Sequence, residues 1–338
     1  MNCPCIFSDL RRHGQAGNGD FSCCWTVAPP CLNLWELTEE NILARLRRRV
    51  AIPRGSRVIA GIGDDCAIFR PRGGKEDLLF TTDLLIEGVH FERATHSATV
   101  AGHKALARGL SDIAAMGGRA LFCLLSLGLP EWADDRWADE FYGGVLRLAK
   151  STGVVLAGGD LARARRVTCD IVVGGSVPRG RALRRDGARV GDFIYVSGSL
   201  GGSAHGLDTQ RGRAWERHLR PRPRLALGRY LREKLHATAC TDLSDGLSLD
   251  LRRLCQASKV SAEIEAPPVF PGATMEHALH GGEDYELLFT VRAATRVPAR
   301  FENVTLTRIG VIRRGAAGRV RLDGQPLAPL GYDHFRRS

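Results

Sequence analysis

The sequence predicts an α/β protein of two domains. Three observations carry that reading. At 338 residues the chain is long enough for a sizeable core and two domains. Short apolar strand-like runs alternate with amphipathic helical segments along it. A Pro178-Arg179-Gly180 break then divides residues 35–178 from residues 179–338, with an atypical extension over residues 1–34 that holds Gly, Asn, Pro and Cys without a sustained period.

Composition narrows the function classes. Hydrophobic content of 44% and charged content of 25% are ordinary for a soluble globular protein. No apolar run approaches the roughly 20 residues of a membrane span, and no basic stretch leads into an apolar one near the start. The expected location is cytoplasmic, with no membrane partner. The net charge of +11 suits anionic ligands, but only five of the 48 basic residues are Lys, and the Arg are scattered without interleaved aromatics. Nucleic acid is therefore not an expected partner. Five of the ten Cys precede residue 35 without paired CxxC spacing; Cys66, Cys123, Cys169, Cys240 and Cys255 stand singly and read as small core residues of a reduced cytosol.

The first helix follows Thr38 as N-cap, with Glu39 and Glu40 in its first turn and Ile42, Leu43 and Leu46 as its apolar face. Val58–Ala60 reads as a strand, and Gly61 and Gly63 bring the adjacent Asp64 and Asp65 into a tight turn before Cys66–Phe69. Leu78–Thr82 is a strand that runs out at Asp83, with His90 beyond a Glu-Gly turn. Val100–Met116 is a helix with Leu106, Leu110 and Ile113 as its stripe and Asp112 one position off it. Leu121–Leu129 is a strand; Trp137–Lys150 is a helix with Phe141, Val145 and Leu148 on one face. Val154–Ala157 is a strand opening into a Gly158-Gly159-Asp160 turn, and Cys169–Gly174 is a further strand.

In the second half Asp192–Ser197 is a strand, and Leu207–Leu219 reads as a polar segment. Ser244 is placed as cap of a helix whose stripe is Leu247, Leu251 and Leu254, with Asp242 and Asp245 flanking its start. Gly281-Gly282 turns through Glu283 into an apolar strand.

Read singly, each of these acidic positions also suits a solvated turn or a helix cap. Their recurrence at Asp64/Asp65, Asp83, Asp112, Asp160, Asp242/Asp245 and Glu283 is what points to chemistry. Carboxylates gathered in one pocket repel one another unless cations lie between them, and hard Mg²⁺ prefers such oxygens. No GxxxxGK[ST] loop, HExxH, GxSxG or kinase HRD…DFG set occurs. The residues thus point to Mg²⁺-dependent chemistry on a nucleotide without a P-loop, where positioning and charge neutralisation dominate.

The ordered segments GIGDDCAIF, TTDLLIEGVHF, KALARGLSDIAAMGG, GGD, RALRRDGARVGD, HLRPRPRL, TDLSDGLSLDL, GGEDYELLFTV and GYDHF resemble the thiamine-monophosphate kinase family over roughly residues 35–338. The resemblance implies a two-domain aminoimidazole ribonucleotide synthetase-like α/β (α+β) fold, whose N-terminal sheet forms a homodimer interface. It implies direct transfer of the ATP γ-phosphoryl group to thiamine monophosphate at several Mg²⁺ ions, with no protein nucleophile or base. Residue by residue it places Asp65, Thr81, Thr82, Asp83, Asp112, Asp160, Asp242 and Asp245 as metal ligands. Gly159, Asp160, Arg185, Ser244 and Tyr142 fall at the ATP, and His90, Glu283 and Tyr332 at the thiamine phosphate.

Two positions depart from the family pattern. Leu161-Ala162 follow GGD where hydroxyls are usual, and Pro329-Leu330 stand where an aromatic usually precedes the GYDHF-type ending. From this placement, Asp83→Asn is expected to abolish turnover while the far-UV circular dichroism stays native; a variant that keeps most of its rate contradicts the placing of the metals.

Overall fold

The computed structural model describes residues 38–335, so the expectation for residues 1–34 lies outside them. Helix α1 (Glu39–Arg49) is capped by Thr38, whose hydroxyl accepts from Asn41 N at 3.2 Å. Its apolar face is only half covered, and none of its residues is fully buried.

The first sheet contains β1 (Val58–Ala60), β2 (Ala67–Phe69), β3 (Glu76–Ile86), β4 (Arg119–Leu129), β5 (Val155–Arg163) and β6 (Thr168–Pro178) in the order β1-β2-β3-β6-β4-β5. Only the β4–β5 pair is parallel, and α3 (Asp135–Thr152) makes that crossover. Between β3 and β4 runs α2 (Ala98–Ala115), capped by Ser97.

Two strands differ from expectation. β3 does not stop at Asp83 but continues to Ile86, because β6 pairs with it along its whole length, Asp83 lying opposite Ile171. The Gly158-Gly159-Asp160 segment is not a turn but the middle of edge strand β5. Glycine is required there for close approach: a Cβ on Gly159 would lie 1.8 Å from Leu125 O.

The second sheet starts after a 3₁₀ turn at Arg185–Gly187 with β7 (Phe193–Ser197). Helices α4 (Gly202–Thr209), α5 (Gly212–Leu219) and α6 (Leu225–Tyr230) follow, so the polar Leu207–Leu219 segment is mostly helical. Asp208, Arg211, Arg213 and Glu216 face outward, while Ala214 and His218 are buried and Arg217 turns inward to Glu286. Then come β8 (Ala239–Asp242), α7 (Leu247–Ser258), β9 (Ser261–Ile264), α8 (Met275–His280), β10 (Leu287–Val291), β11 (Arg300–Phe301), β12 (Val304–Arg313), β13 (Val320–Leu322) and β14 (Gln325–Pro326). The sheet order is β14-β13-β9-β12-β7-β10-β8, with β11 paired to β12.

Ser244 does not cap α7. Gly246 does, at φ +107°, and the buried Asp250 carboxylate accepts from Asp245 N and Gly246 N at 3.0 and 3.1 Å. A carboxylate in the first turn thus reaches back to the N–H groups of the cap and the residue before it and fixes the path of the chain into α7.

The first core is built on α2. Leu106, Leu110 and Ile113 are fully buried as predicted, and so are Leu79, Leu85, Leu125 and Leu127 on the sheet face beneath. The same helix packs on its far side against α6 and β8, so it is covered nearly all round. The five described cysteines are free and buried. Helices α2 and α3 meet backbone to backbone: a Cβ on Gly144 would lie 2.0 Å from Thr99 O, and one on Gly102 1.9 Å from Phe141 O. Gly144→Ala is therefore expected to lower unfolding stability by about 1–3 kcal/mol through overpacking, read from the urea midpoint; an unchanged midpoint contradicts this helix contact.

Candidate active site

Three carboxylates from separate parts of the chain converge. Asp65 comes from the β1–β2 loop, Asp112 from the last turn of α2, and Asp242 from the end of β8. One oxygen from each lies within 4.8 Å of the others. Local hydroxyls aim them: Thr81 Oγ1 donates to Asp112 Oδ2 and Ser111 Oγ to Asp242 Oδ2, each at 2.5 Å, and Thr241 Oγ1 donates to Asp65 Oδ1 at 3.1 Å. The Arg185 guanidinium pairs with Asp65 Oδ1, while Asp65 Oδ2 is buried without a hydrogen-bond partner.

Burial pushes the Asp112 and Asp242 carboxyls well above the usual range, and the neighbouring carboxylates push them further. Asp64, burdened by burial and then by Asp65, is raised to about 7. Such a set is held ready for a hard cation: oxygen donors only, mutually repelling, with one orphaned oxygen.

The other acidic residues are met by arginines. Arg108 of α2 bonds Asp83 at 2.6 Å, and Arg253 of α7 contacts both Asp245 and Asp250. Asp83, Asp112, Asp242, Ser244 and Asp245 line a cavity of about 530 Å³, a size that holds a small organic ligand. Glu283, His90 and Tyr332 line the same cavity. The structure thus brings these sequence-predicted residues together.

Glu283 occupies the left-handed region at φ +63°, fixed by Glu283 N donating to Ser244 O at 2.7 Å. Its carboxyl is held at about 2: burial alone would raise it, but Lys104, His218 and Arg108 more than compensate. His90 Nδ1 accepts from Ile86 N at 3.0 Å, and burial, then Arg108, lowers its imidazole to about 3. It is a neutral ring at pH 7, 5.0 Å from the ring of His334.

Other predicted residues lie elsewhere. Along the register Asp83, Ile171, Leu125 and Gly159 stand opposite one another on β3, β6, β4 and β5. At a strand spacing of about 4.8 Å, the Gly159-Asp160 pair is roughly 14 Å from Asp83. Gly159, Asp160 and Tyr142 line a separate, open groove at the sheet edge with Leu161. Thr82 points to the sheet face away from α2, where its hydroxyl donates to Asp170 Oδ1 at 2.5 Å. Leu330 is largely exposed, so the aromatic wall comes from Tyr332 and His334 instead.

Sequence reasoning missed Lys104, Arg108, Arg253, His96, His218 and His334. The cations sit within helical patterns where an exposed side chain is the ordinary expectation; only their burial singles them out.

The AIR synthase related protein N-terminal domain matches residues 63–177, and the corresponding C-terminal domain matches residues 189–323. Thiamine-monophosphate kinase of Salmonella typhimurium is 40% identical over 329 residues, which cover 88% of this chain and 98% of that protein. The Bacillus subtilis protein of the same name is 33% identical, over 83% and 95% of the two chains. Among solved structures, AaThiL complexed with AMPPCP and TMP matches at TM-score 0.77 and 32% identity, over 88% and 97% of the chains. Thiamine-monophosphate kinase from Stenotrophomonas maltophilia matches at 0.70 and 37%, over 85% and 96%. Hydrogenase maturation protein HypE in complex with ATP, at TM-score 0.61 and 18% identity over 76% and 86%, shares the fold.

Beyond Glu283 the cavity wall carries His96 and His218, both lowered to about 4 by burial and then by Lys104. Their folded-state values lie below the ordinary 6.5, so the stability they contribute is present above pH 6.5 and lost as pH falls from 6.5 through 4. The urea midpoint is expected to drop between pH 7 and pH 5, and to drop less in His96→Gln, which has no proton to take up. Equal drops in both proteins contradict a neutral buried His96.

Proposed function

The chain belongs to the thiamine-monophosphate kinase family, and we propose that it transfers the γ-phosphoryl group of ATP to the phosphate of thiamine monophosphate, giving thiamine diphosphate and ADP. The observation that carries the reading is the convergence of Asp65, Asp112 and Asp242, the last two lining a cavity that also carries Glu283 and the rings of His90 and Tyr332. Without cations these carboxylates repel the triphosphate of ATP and the acceptor phosphate; with cations they gather both.

In this reading Asp65, Asp112 and Asp242 would hold Mg²⁺, with Asp83, Asp245 and the Thr81 hydroxyl as further donors; Asp160, roughly 14 Å from Asp83, and Thr82, on the opposite sheet face, stand too far from these three to share an ion with them within one chain. Bound there, Mg²⁺ neutralises the phosphate oxygens of donor and acceptor. The chain's own work is placement. An anionic oxygen of the acceptor phosphate attacks the γ-phosphorus in line, and the bond from that phosphorus to the bridging β–γ oxygen breaks as ADP leaves. The acceptor oxygen is already anionic, so no side chain has to remove a proton. Arg185, now on Asp65, and Ser244 stand at the nucleotide side; His90, Glu283 and Tyr332 stand at the thiamine side.

Gly159, Asp160 and Tyr142 border the adenosine end in this reading. Their distance from Asp83 within one chain is why we place ATP along a groove between two copies of the protein. The outer face of the first sheet supports that homodimer: Leu84 and Leu124 are exposed apolar residues on it, and Val155 and Leu161 stand exposed on its edge strand. Leu161 leaves the nucleotide without the family's hydroxyl contact.

Incubation of purified protein with ATP, Mg²⁺ and thiamine monophosphate, with free thiamine in parallel, tests the reading by chromatography. Thiamine diphosphate is expected from the monophosphate alone, and only with Mg²⁺; ATP binding without product overturns it.

A further inference from the structure

Lys104 is the largest fully buried side chain among the described residues. It sits in α2 with no surface exposed, so it touches neither solvent nor a ligand in the cavity. Its ammonium donates to Glu283 Oε2 at 2.8 Å and to His90 O at 3.0 Å, and lies 3.4 Å from His218 Nε2. A buried cation is costly unless it is paired and hydrogen-bonded. The partners chosen here belong to the cavity wall rather than to the core.

Glu283 shows why such a tether is needed. Its backbone is in the left-handed region, and so is that of Tyr285 two residues on, at φ +49°. A non-glycine pair of this kind persists only where surroundings hold it. Lys104 takes Oε2, and no donor among the described residues takes Oε1, so one carboxylate oxygen is presented to the cavity. His218 is itself fixed by Ser203 Oγ at 3.0 Å and stacks on Trp215 with ring centroids 5.2 Å apart. The His96, His218 and Trp215 rings thus pack on one another as an aromatic wall with the Glu283 carboxylate fixed beside it. That combination suits a flat, nitrogen-bearing ring system carrying a cation or an amine.

We propose that Lys104 is a positioning residue for acceptor recognition, holding Glu283 and the His90 carbonyl in the cavity wall so that the free Glu283 oxygen meets the amine-bearing or cationic rings of the acceptor. This deepens the kinase reading and rests on it. Lys104 acts through Glu283 and the His90 carbonyl and hydrogen-bonds none of Asp65, Asp112 and Asp242. Its loss therefore removes binding that ground state and transition state share, which raises KM for the acceptor and leaves kcat in place.

The test compares wild type, Lys104→Met, Glu283→Gln and the double variant in steady-state kinetics with thiamine monophosphate and ATP varied separately. Lys104→Met is expected to raise KM for thiamine monophosphate at least tenfold, to change KM for ATP less than twofold, and to keep kcat within threefold. In the Glu283→Gln background the same substitution is expected to change KM for thiamine monophosphate less than threefold, because its target is gone. If Lys104→Met alone fails to fold, the double variant, which removes both charges, carries the comparison with Glu283→Gln. Equal losses for both substrates, a loss in kcat alone, or a further tenfold loss in the Glu283→Gln background overturns the proposal. A wild type that makes no thiamine diphosphate overturns the kinase reading itself and this inference with it.

Discussion

The arrangement depends on one electrostatic constraint: three carboxylates, on Asp65, Asp112 and Asp242, held within 4.8 Å in a place from which water is largely excluded. Left as anions they repel one another, and burial makes each charge more costly still. The chain answers with local donors. Thr81, Ser111 and Thr241 each give a hydroxyl to one of the three, and Arg185 neutralises Asp65. Similar pairs, Arg108 with Asp83 and Arg253 with Asp245, hold the outlying carboxylates.

Helix α2 links that constraint to the fold. One side of it carries Leu106, Leu110 and Ile113 into the first core. Another carries Lys104, Arg108, Ser111 and Asp112, spaced so that they follow one another along the helix. Between them they reach three parts of the chain: Glu283 before β10, Asp242 at the end of β8, and both Asp83 and Thr81 on β3. The helix is packed on its second side by α6 and β8. The polar row is therefore buried between the two sheets instead of facing solvent.

Much of this was legible in the residues. Apolar period gave the stripes of α2, α3 and α7, and Thr38 and the alternation of strand and helix marked most elements. The acidic positions were found because carboxylates kept recurring beside glycines and strand ends. What could not be read was anything fixed by distant partners. The length of β3 beyond Asp83 depends on β6, 88 residues away in the Thr82–Asp170 pair. The extended path of Gly158-Gly159 depends on β4, and a Gly-Gly pair looks the same in a turn and in a crowded strand. The α7 cap lies at Gly246 and not Ser244, where Asp250, inside the helix, reaches back to the N–H groups of Asp245 and Gly246 and fixes the entry of the chain. Lys104 was invisible for the same reason: burial of a lysine is a tertiary fact.

The central claim is that the three carboxylates are mutually destabilising until a divalent cation joins them. It is tested most directly by thermal unfolding of wild type and Asp112→Asn with and without Mg²⁺. In EDTA, removing one of the repelling charges is expected to raise Tm above that of wild type. On adding Mg²⁺, wild type is expected to gain stability steeply and Asp112→Asn to gain little, so that the order of the two proteins reverses. A wild type indifferent to Mg²⁺, or an Asp112→Asn protein that is less stable in EDTA and responds to Mg²⁺ as wild type does, contradicts the account.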